Sequence, residues 1–263
     1  MNLRRALLWT LFGTSLAVSL PATLSAGTVI TLKEQSAQGS SDNKIYLDGG
    51  KLRFEAGSAG PTHVILYHTA NGSLQILDPA KKTWFEMAAG ASAASQQAAA
   101  TKRVMEDKKL TPARKQMILN NMKANSARHG LFGGPAVPAQ YNKVASGVTV
   151  NGFTADQYEV VLGGVKTREV WLADPKSLGI DAADAVALKS MAERIAASAG
   201  RSPAGFGLET GSPRGVPVRT ISFVNGQKST TTDLSAIAQQ DVAATLFEVP
   251  KDFKQAAPGA PVH

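Results

Sequence analysis

A chain of 263 residues without a single cysteine excludes thiol catalysis, disulfide staples, Fe–S clusters and cysteine-ligated zinc. Its hydrophobic content of 43% is enough for a sizeable core, so stability must come from burial and hydrogen bonding. The net charge of +8 is local: Lys102, Arg103, Lys108, Lys109, Arg114, Lys115, Lys123 and Arg128 are opposed only by Glu106 and Asp107, and the rest of the chain beyond the leader is balanced.

At the start, Arg4 and Arg5 precede an apolar stretch from Ala6 to Leu20, Pro21 breaks it, and Ser25-Ala26-Gly27 supplies small residues. This is the layout of a secretory signal, and its apolar part is shorter than the roughly 20 residues that span a bilayer. Cleavage is expected after Ala26, so residues 1–26 read as a signal peptide and the mature chain as a periplasmic protein. No cysteine is there to carry a lipid.

From Thr28 to Met87 the spacing predicts strands. Thr28 to Lys33 is the first, and the polar stretch Gln35 to Asn43 reads as a loop. Ile45 and Leu47 alternate with polar neighbours, and Asp48-Gly49-Gly50 turns the chain. Lys51 to Glu55 puts Leu52 and Phe54 on one face. His63 to His68, Leu74 with Ile76, and Thr83 to Met87 follow, separated by Asn71-Gly72 and Asp78-Pro79. Short turns between successive strands imply an antiparallel meander, because parallel neighbours need long crossovers.

The composition changes at Ala88, where Ala, Ser, Gln and Gly take over. A helical insertion is expected over residues 88–130. A first helix runs from about residue 92 to Leu110, and a second opens at Thr111-Pro112 with Thr as N-cap and Pro at the first helical position. Residues 131–140 read as a Gly/Pro loop. Strand patterning returns over Lys143 to Phe153. Ala155–Leu162 and Val165–Ala173 then flank Gly163-Gly164. A helix over residues 182–199 is expected to be capped by Asp181 or its neighbour and to bury Val186, Leu188, Met191 and Ile195. After a Gly/Pro/Ser loop, Val216–Val224 and Gln227–Leu234 are joined by Asn225-Gly226, the strongest hairpin signal in the chain. An apolar segment closes at Leu246-Phe247-Glu248-Val249-Pro250. The domain is expected to end at residue 254, with 255–263 a disordered tail.

Five segments, taken in order, resemble a known fold family. They are Lys51-Leu52-Arg53-Phe54, Leu77-Asp78-Pro79 with Lys82-Thr83-Trp84, Gly152-Phe153 with Tyr158-Glu159-Val160, Glu169-Val170-Trp171-Leu172-Ala173, and Leu246 to Phe253. Their order is similar to the half-barrel of periplasmic lipoprotein carriers (LolA- and LolB-like) and the related sigma-factor-regulator sensor domains. It is closer still to an uncharacterised exported domain family of that type. The resemblance implies an α+β fold in which a curved antiparallel sheet, an incomplete β-barrel, wraps helices. It also implies a concave side able to hold acyl chains.

No catalytic constellation is legible. His63 and His68 lie five apart on one expected strand, so they point to opposite faces and cannot share a metal. Ser41-Asp42-Asn43-Lys44 overlaps two β-lactamase-type motifs that a real site would keep far apart. Asp181 and Asp184 sit where a helix start needs acceptors rather than where acid–base chemistry needs a pair. The expected protein is therefore not an enzyme and carries no metal or cofactor. Phe54, Trp84, Phe85, Tyr158 and Trp171 are candidates to line a hydrophobic cavity, with Met105, Met117, Met122 and Met191 suited to a pliable lid. Lys102, Arg103, Lys108, Lys109, Arg114 and Lys115 are candidates to meet an anionic surface. The partners this reading allows are a lipid or lipoprotein ligand, an envelope protein or an anionic membrane surface, and not nucleic acid. The function it points to is a periplasmic carrier for a hydrophobic ligand. The alternative is a sensor that binds an envelope protein through the same sheet.

Overall fold

The computed structural model describes residues 24–57, 62–87, 98, 101–102, 104–107, 110–129, 139–199 and 212–256. Twelve strands form one sheet: β1 (Leu24–Ser36), β2 (Gly39–Asp48), β3 (Lys51–Ala56), β4 (His63–His68), β5 (Ser73–Asp78), β6 (Thr83–Met87), β7 (Gln140–Val150), β8 (Phe153–Leu162), β9 (Val165–Ala173), β10 (Val216–Val224), β11 (Gln227–Ala243) and β12 (Lys254–Gln255). Two helices have described bounds, α1 (Pro112–His129) and α2 (Ala182–Ala199), and the described residues 98, 101–102 and 104–106 are helical too. The strand order is β12-β6-β5-β4-β3-β2-β1-β11-β10-β9-β8-β7. The sheet is curved and unclosed, and it is the α+β incomplete barrel with a helical insertion that the sequence predicts. Every neighbouring pair is antiparallel except β12 on β6, whose register Lys254↔Thr83 and Gln255↔Trp84 is parallel.

Three hairpins differ from the sequence reading. The polar stretch from Gln35 is not a loop, because β1 and β2 keep pairing down to Ser36↔Gly39. The residues there are mostly exposed, so backbone pairing holds the arms together without help from the core. β11 continues past Leu234 to Ala243, since β1 offers it a partner all the way to Leu24↔Ala243. The expected single strand Lys143–Phe153 breaks at Asn151-Gly152. Both residues take positive φ, 53° and 84°, and Phe153 begins the next strand.

The meander is buried on both faces. Ile45, Leu47, Leu52, Phe54, Tyr67 and Leu74 face one core, together with Trp171, Val216 and Val218 from the other half of the sheet. Ala187, Leu188, Met191 and Ile195 of α2 pack against this core. Leu47 and Leu52 are fully buried, and each such side chain contributes about 1.5–3 kcal/mol. On the opposite face Val64, Leu66 and Leu77 pack with Trp84, Val249 and Phe253. That side is closed by the chain after β11, where a 3-10 turn (Ala244–Phe247) leads into β12.

Helix α2 starts as expected, with Asp181 Oδ1 accepting from Asp184 N at 2.8 Å. Its buried stripe is Asp184, Ala187, Leu188, Met191, Ala192 and Ile195. Val186 is 54% exposed rather than buried. It lies two positions from Leu188, which on a helix is roughly 200° around the axis.

A polar clamp ties the second half of the sheet together. Arg219 Nε meets Asp233 Oδ1 at 2.6 Å, Asn151 Nδ2 donates to the same oxygen at 2.9 Å, and Arg219 Nη2 donates to Asn151 Oδ1 at 3.1 Å. Burial alone would raise the Asp233 carboxyl, but the hydrogen bonds from Arg219 and Asn151 outweigh it and hold it below its ordinary value. Because the folded pKa is lowered, this stabilisation is present above the unfolded value and is lost as the pH falls through the folded one. Asp233→Ala is expected to destabilise by about 1 kcal/mol at neutral pH, after discounting for partial exposure. Urea unfolding at pH 7 and pH 3 should show that difference shrinking in acid.

Candidate ligand cleft

The aromatic residues singled out from the sequence do not meet in one place. Phe54 and Trp171 are 7% and 8% exposed and belong to the main core. Trp84 lies on the other face, beneath Val249 and Phe253. Phe85 is half-buried opposite Ile76 in the β5–β6 ladder. Tyr158 packs with Tyr141, Val160 and Val170, its ring edge-on to Tyr141 with centroids 6.4 Å apart.

The described side chains of the insertion are exposed or half-exposed. Thr111 Oγ1 accepts from Arg114 N at 3.3 Å, so the expected N-cap is formed. None of the described side chains of α1 is buried. Met105 and Met117 are 56% and 43% exposed, and the Met122 side chain lies outside the described residues. Lys102 and Arg114 are exposed, Lys102 reaching Glu106 at 3.8 Å. Lys115 Nζ donates to the Met105 carbonyl, which fastens α1 to the preceding segment. Arg103, Lys108 and Lys109 lie outside the described residues.

The concave side is filled by α2, but the filling stops short at the helix N-terminus. There the structure leaves a cleft of about 830 Å³. One wall is α2 with the turn before it: Ile180, Ala182, Ala185, Val186, Leu188 and Lys189. Another is the 3-10 turn Pro175–Leu178 with Asp174. The third is formed by Thr154, Ala155, Asp156 and Leu172 of the sheet with the segment Ser212–Val216. Gly215, at φ 152°, lets that segment lie against β9, since a Cβ there would fall 2.7 Å from the Leu172 Cβ.

Acidic groups around the cleft already have partners. Asp174 Oδ1 accepts from Lys176 N at 2.9 Å. Asp181 caps α2. Asp156 pairs with Lys143 at 2.7 Å and accepts from Gly147 N at 3.1 Å. These bonds hold its carboxyl below its ordinary value. The cationic groups are freer: Lys176 and Arg214 are exposed and have no ion-pair partner among the described residues. Ser212 is 8% exposed, and its Oγ has no hydrogen-bond partner there.

Sequence reasoning missed this cleft. Its apolar lining residues are ordinary core alternation, and its walls come from segments distant in the chain. The histidines form no site: His68 Nε2 donates to the Phe247 carbonyl at 2.9 Å, while His63 Nδ1 lies 3.4 Å from Thr62 Oγ1. Among the described residues, no group of three or more His, Asp or Glu could hold a metal ion. No described helix is long and apolar enough to cross a membrane.

No family model and no curated protein matches the chain. Solved structures do align with it. An uncharacterized conserved protein from Thermus thermophilus matches over 88% of this chain and 90% of its own at 7% identity, TM-score 0.44. The Pseudomonas aeruginosa MucA/MucB complex matches over 87% of this chain and 57% of its own at 11% identity, TM-score 0.34. A LolA superfamily protein from Nitrosomonas europaea matches over 87% and 91% at 9% identity, TM-score 0.26. All three scores lie below 0.5, so the fold assignment stands on the strand order and register.

Proposed function

We propose that this protein is an exported, periplasmic binding module that holds a hydrophobic ligand in the cleft at the N-terminus of α2 and performs no chemistry of its own. The observation that carries the reading is the cleft itself. At about 830 Å³ it falls in the range of small-molecule sites, and Ala155, Leu172, Ile180, Leu188 and Val216 give it an apolar floor. The carboxylates beside it are engaged in caps and an ion pair, which suits holding a molecule better than moving a proton. The leader over residues 1–26 would deliver the chain to the periplasm. The exposed cations Lys102 and Arg114 would then suit contact with an anionic membrane surface.

The alternative is an envelope protein bound through the same sheet; by strand addition its longer edge strand would be β7. Among the described residues β7 has one side unpaired, but its register slips twice, around Lys143–Ala145 and Ala145–Val148. Bulges of that kind obstruct edge-to-edge pairing, so the cleft is the better supported site.

Val186→Trp tests the reading, because residue 186 is exposed on α2 and lines the cleft. The larger side chain should occupy ligand space without disturbing the core. Protein purified from envelope extract should carry a bound apolar molecule in native mass spectrometry, and the variant should lose it with an unchanged melting temperature. Bare wild-type protein that also fails to bind a fluorescent fatty-acid probe would sink the proposal.

A further inference from the structure

We infer that the cleft selects an amphiphilic anion: a carboxylate or phosphate head held at the Lys176–Arg214–Ser212 side, with an apolar body on the Leu172–Leu188 floor. This rests on the binding-module reading above and adds the charge of the ligand to it. Three observations on the cleft lining support this. Lys176 and Arg214 line it without ion-pair partners among the described residues. Lys189 adds a third cation, and its nearest carboxylate, Glu193, is 3.8 Å away and shared through an exposed pair. Ser212 lines the same cleft, nine-tenths buried, with an unpartnered hydroxyl. A buried hydroxyl without a partner costs free energy that an incoming acceptor oxygen would recover.

The location adds to this preference. The cleft opens at the start of an 18-residue helix, whose first N–H groups carry partial positive charge. The lining also holds three acids, but their acceptor oxygens are engaged: Asp174 and Asp181 accept from backbone N–H groups and Asp156 pairs with Lys143, so Lys176 and Arg214 keep their N–H donors for a ligand. Free cationic donors of this kind favour an anion whose head makes charge-assisted hydrogen bonds, while the floor accepts whatever apolar body follows.

The test is isothermal titration of the full mature chain with three probes: dodecanoate, dodecanol and inorganic phosphate. Dodecanoate should bind at least about tenfold more tightly than dodecanol. Its affinity should fall with added salt. Lys176→Gln combined with Arg214→Gln should weaken dodecanoate by at least about tenfold and leave dodecanol unchanged. Ser212→Ala should weaken dodecanoate alone while the melting temperature holds or rises, since it removes an unsatisfied hydroxyl. Binding of phosphate by itself, lost in the double variant, would also support an anion site and would identify its source as a free anion rather than a lipid head. Equal binding of dodecanoate and dodecanol by wild type would overturn the inference while leaving the apolar cleft standing. Binding of none of the three probes would overturn both.

Discussion

Phe247→Ala is expected to lower the stability of the protein by about 3–5 kcal/mol, the usual cost of truncating a fully buried phenylalanine. Phe247 is 1% exposed and packs with Val29 and Val242, with Tyr46 and Leu246 alongside. The loss should fall toward the upper end of that range, because the segment is held by few other bonds. Arg53 Nη1 donates to the Leu246 carbonyl at 3.0 Å, and His68 Nε2 donates to the Phe247 carbonyl at 2.9 Å. Loosening the ring loosens both, and with them the approach to β12, where Lys254 N donates to the Lys82 carbonyl at 2.9 Å. Urea unfolding measures the difference directly. Val224→Ala, at a site 60% exposed, serves as the control and should change stability by less than about 0.5 kcal/mol. A loss below about 1 kcal/mol for Phe247→Ala would show that the closing segment does not pack on the sheet as described.

That closing segment also shows what the sequence could and could not disclose. Leu246 to Pro250 reads as apolar from the residues alone, but a run of that length does not say which face of a sheet it covers. Local chemistry is legible wherever a short-range rule decides the outcome. Asn225-Gly226 turns the β10–β11 hairpin with φ of 52° and 76°, and Asp181 and Thr111 cap the two helices. The same rule applies to Asn151-Gly152, yet the β pattern continues on both sides of it, and the turn disappears inside an apparently single strand. Strand ends are the least legible. Ser36, Gly39 and most of the residues beyond Leu234 are exposed or half-exposed, and apart from the buried Val242 they show no clean alternation to mark a strand. The cleft is invisible for a related reason. It exists because the N-terminal turns of α2 leave space against the sheet and the Ser212–Val216 segment, a relation among positions far apart in the chain. Val186 reads as core because it is apolar, whereas the 3.6-residue period places it at the cleft wall.

At the other side of that helix start, Asp184 should make stability fall as the pH rises. The residue is 2% exposed, and Gly50 N donates to its Oδ1 at 2.9 Å, fixing α2 to the β2–β3 turn. Gly50 is itself committed: its φ is 83°, and its carbonyl accepts from Thr69 N at 3.1 Å and from the Thr69 hydroxyl. Burial pushes the Asp184 carboxyl above its ordinary value of 3.8, the Gly50 N–H opposes the rise, and Asp181 and Asp48 add to it. A raised folded pKa means that the native state binds the proton more tightly than the unfolded chain. The resulting stabilisation is complete below about pH 3.8 and drains away as the pH climbs through the folded value. Two substitutions separate charge from hydrogen bond. Asp184→Asn keeps an acceptor for Gly50 without the charge, and should be at least as stable as wild type at pH 7 with a flatter profile between pH 4 and pH 8. Asp184→Ala leaves the buried Gly50 N–H without its acceptor and should cost about 1–3 kcal/mol at every pH. The helix N-terminus argues the other way, since a carboxylate in the first turn gains about 0.3–1 kcal/mol from the dipole. If Asp184→Asn proves as damaging at pH 7 as Asp184→Ala, the dipole outweighs desolvation, and the ionised carboxylate is what docks the helix onto the sheet.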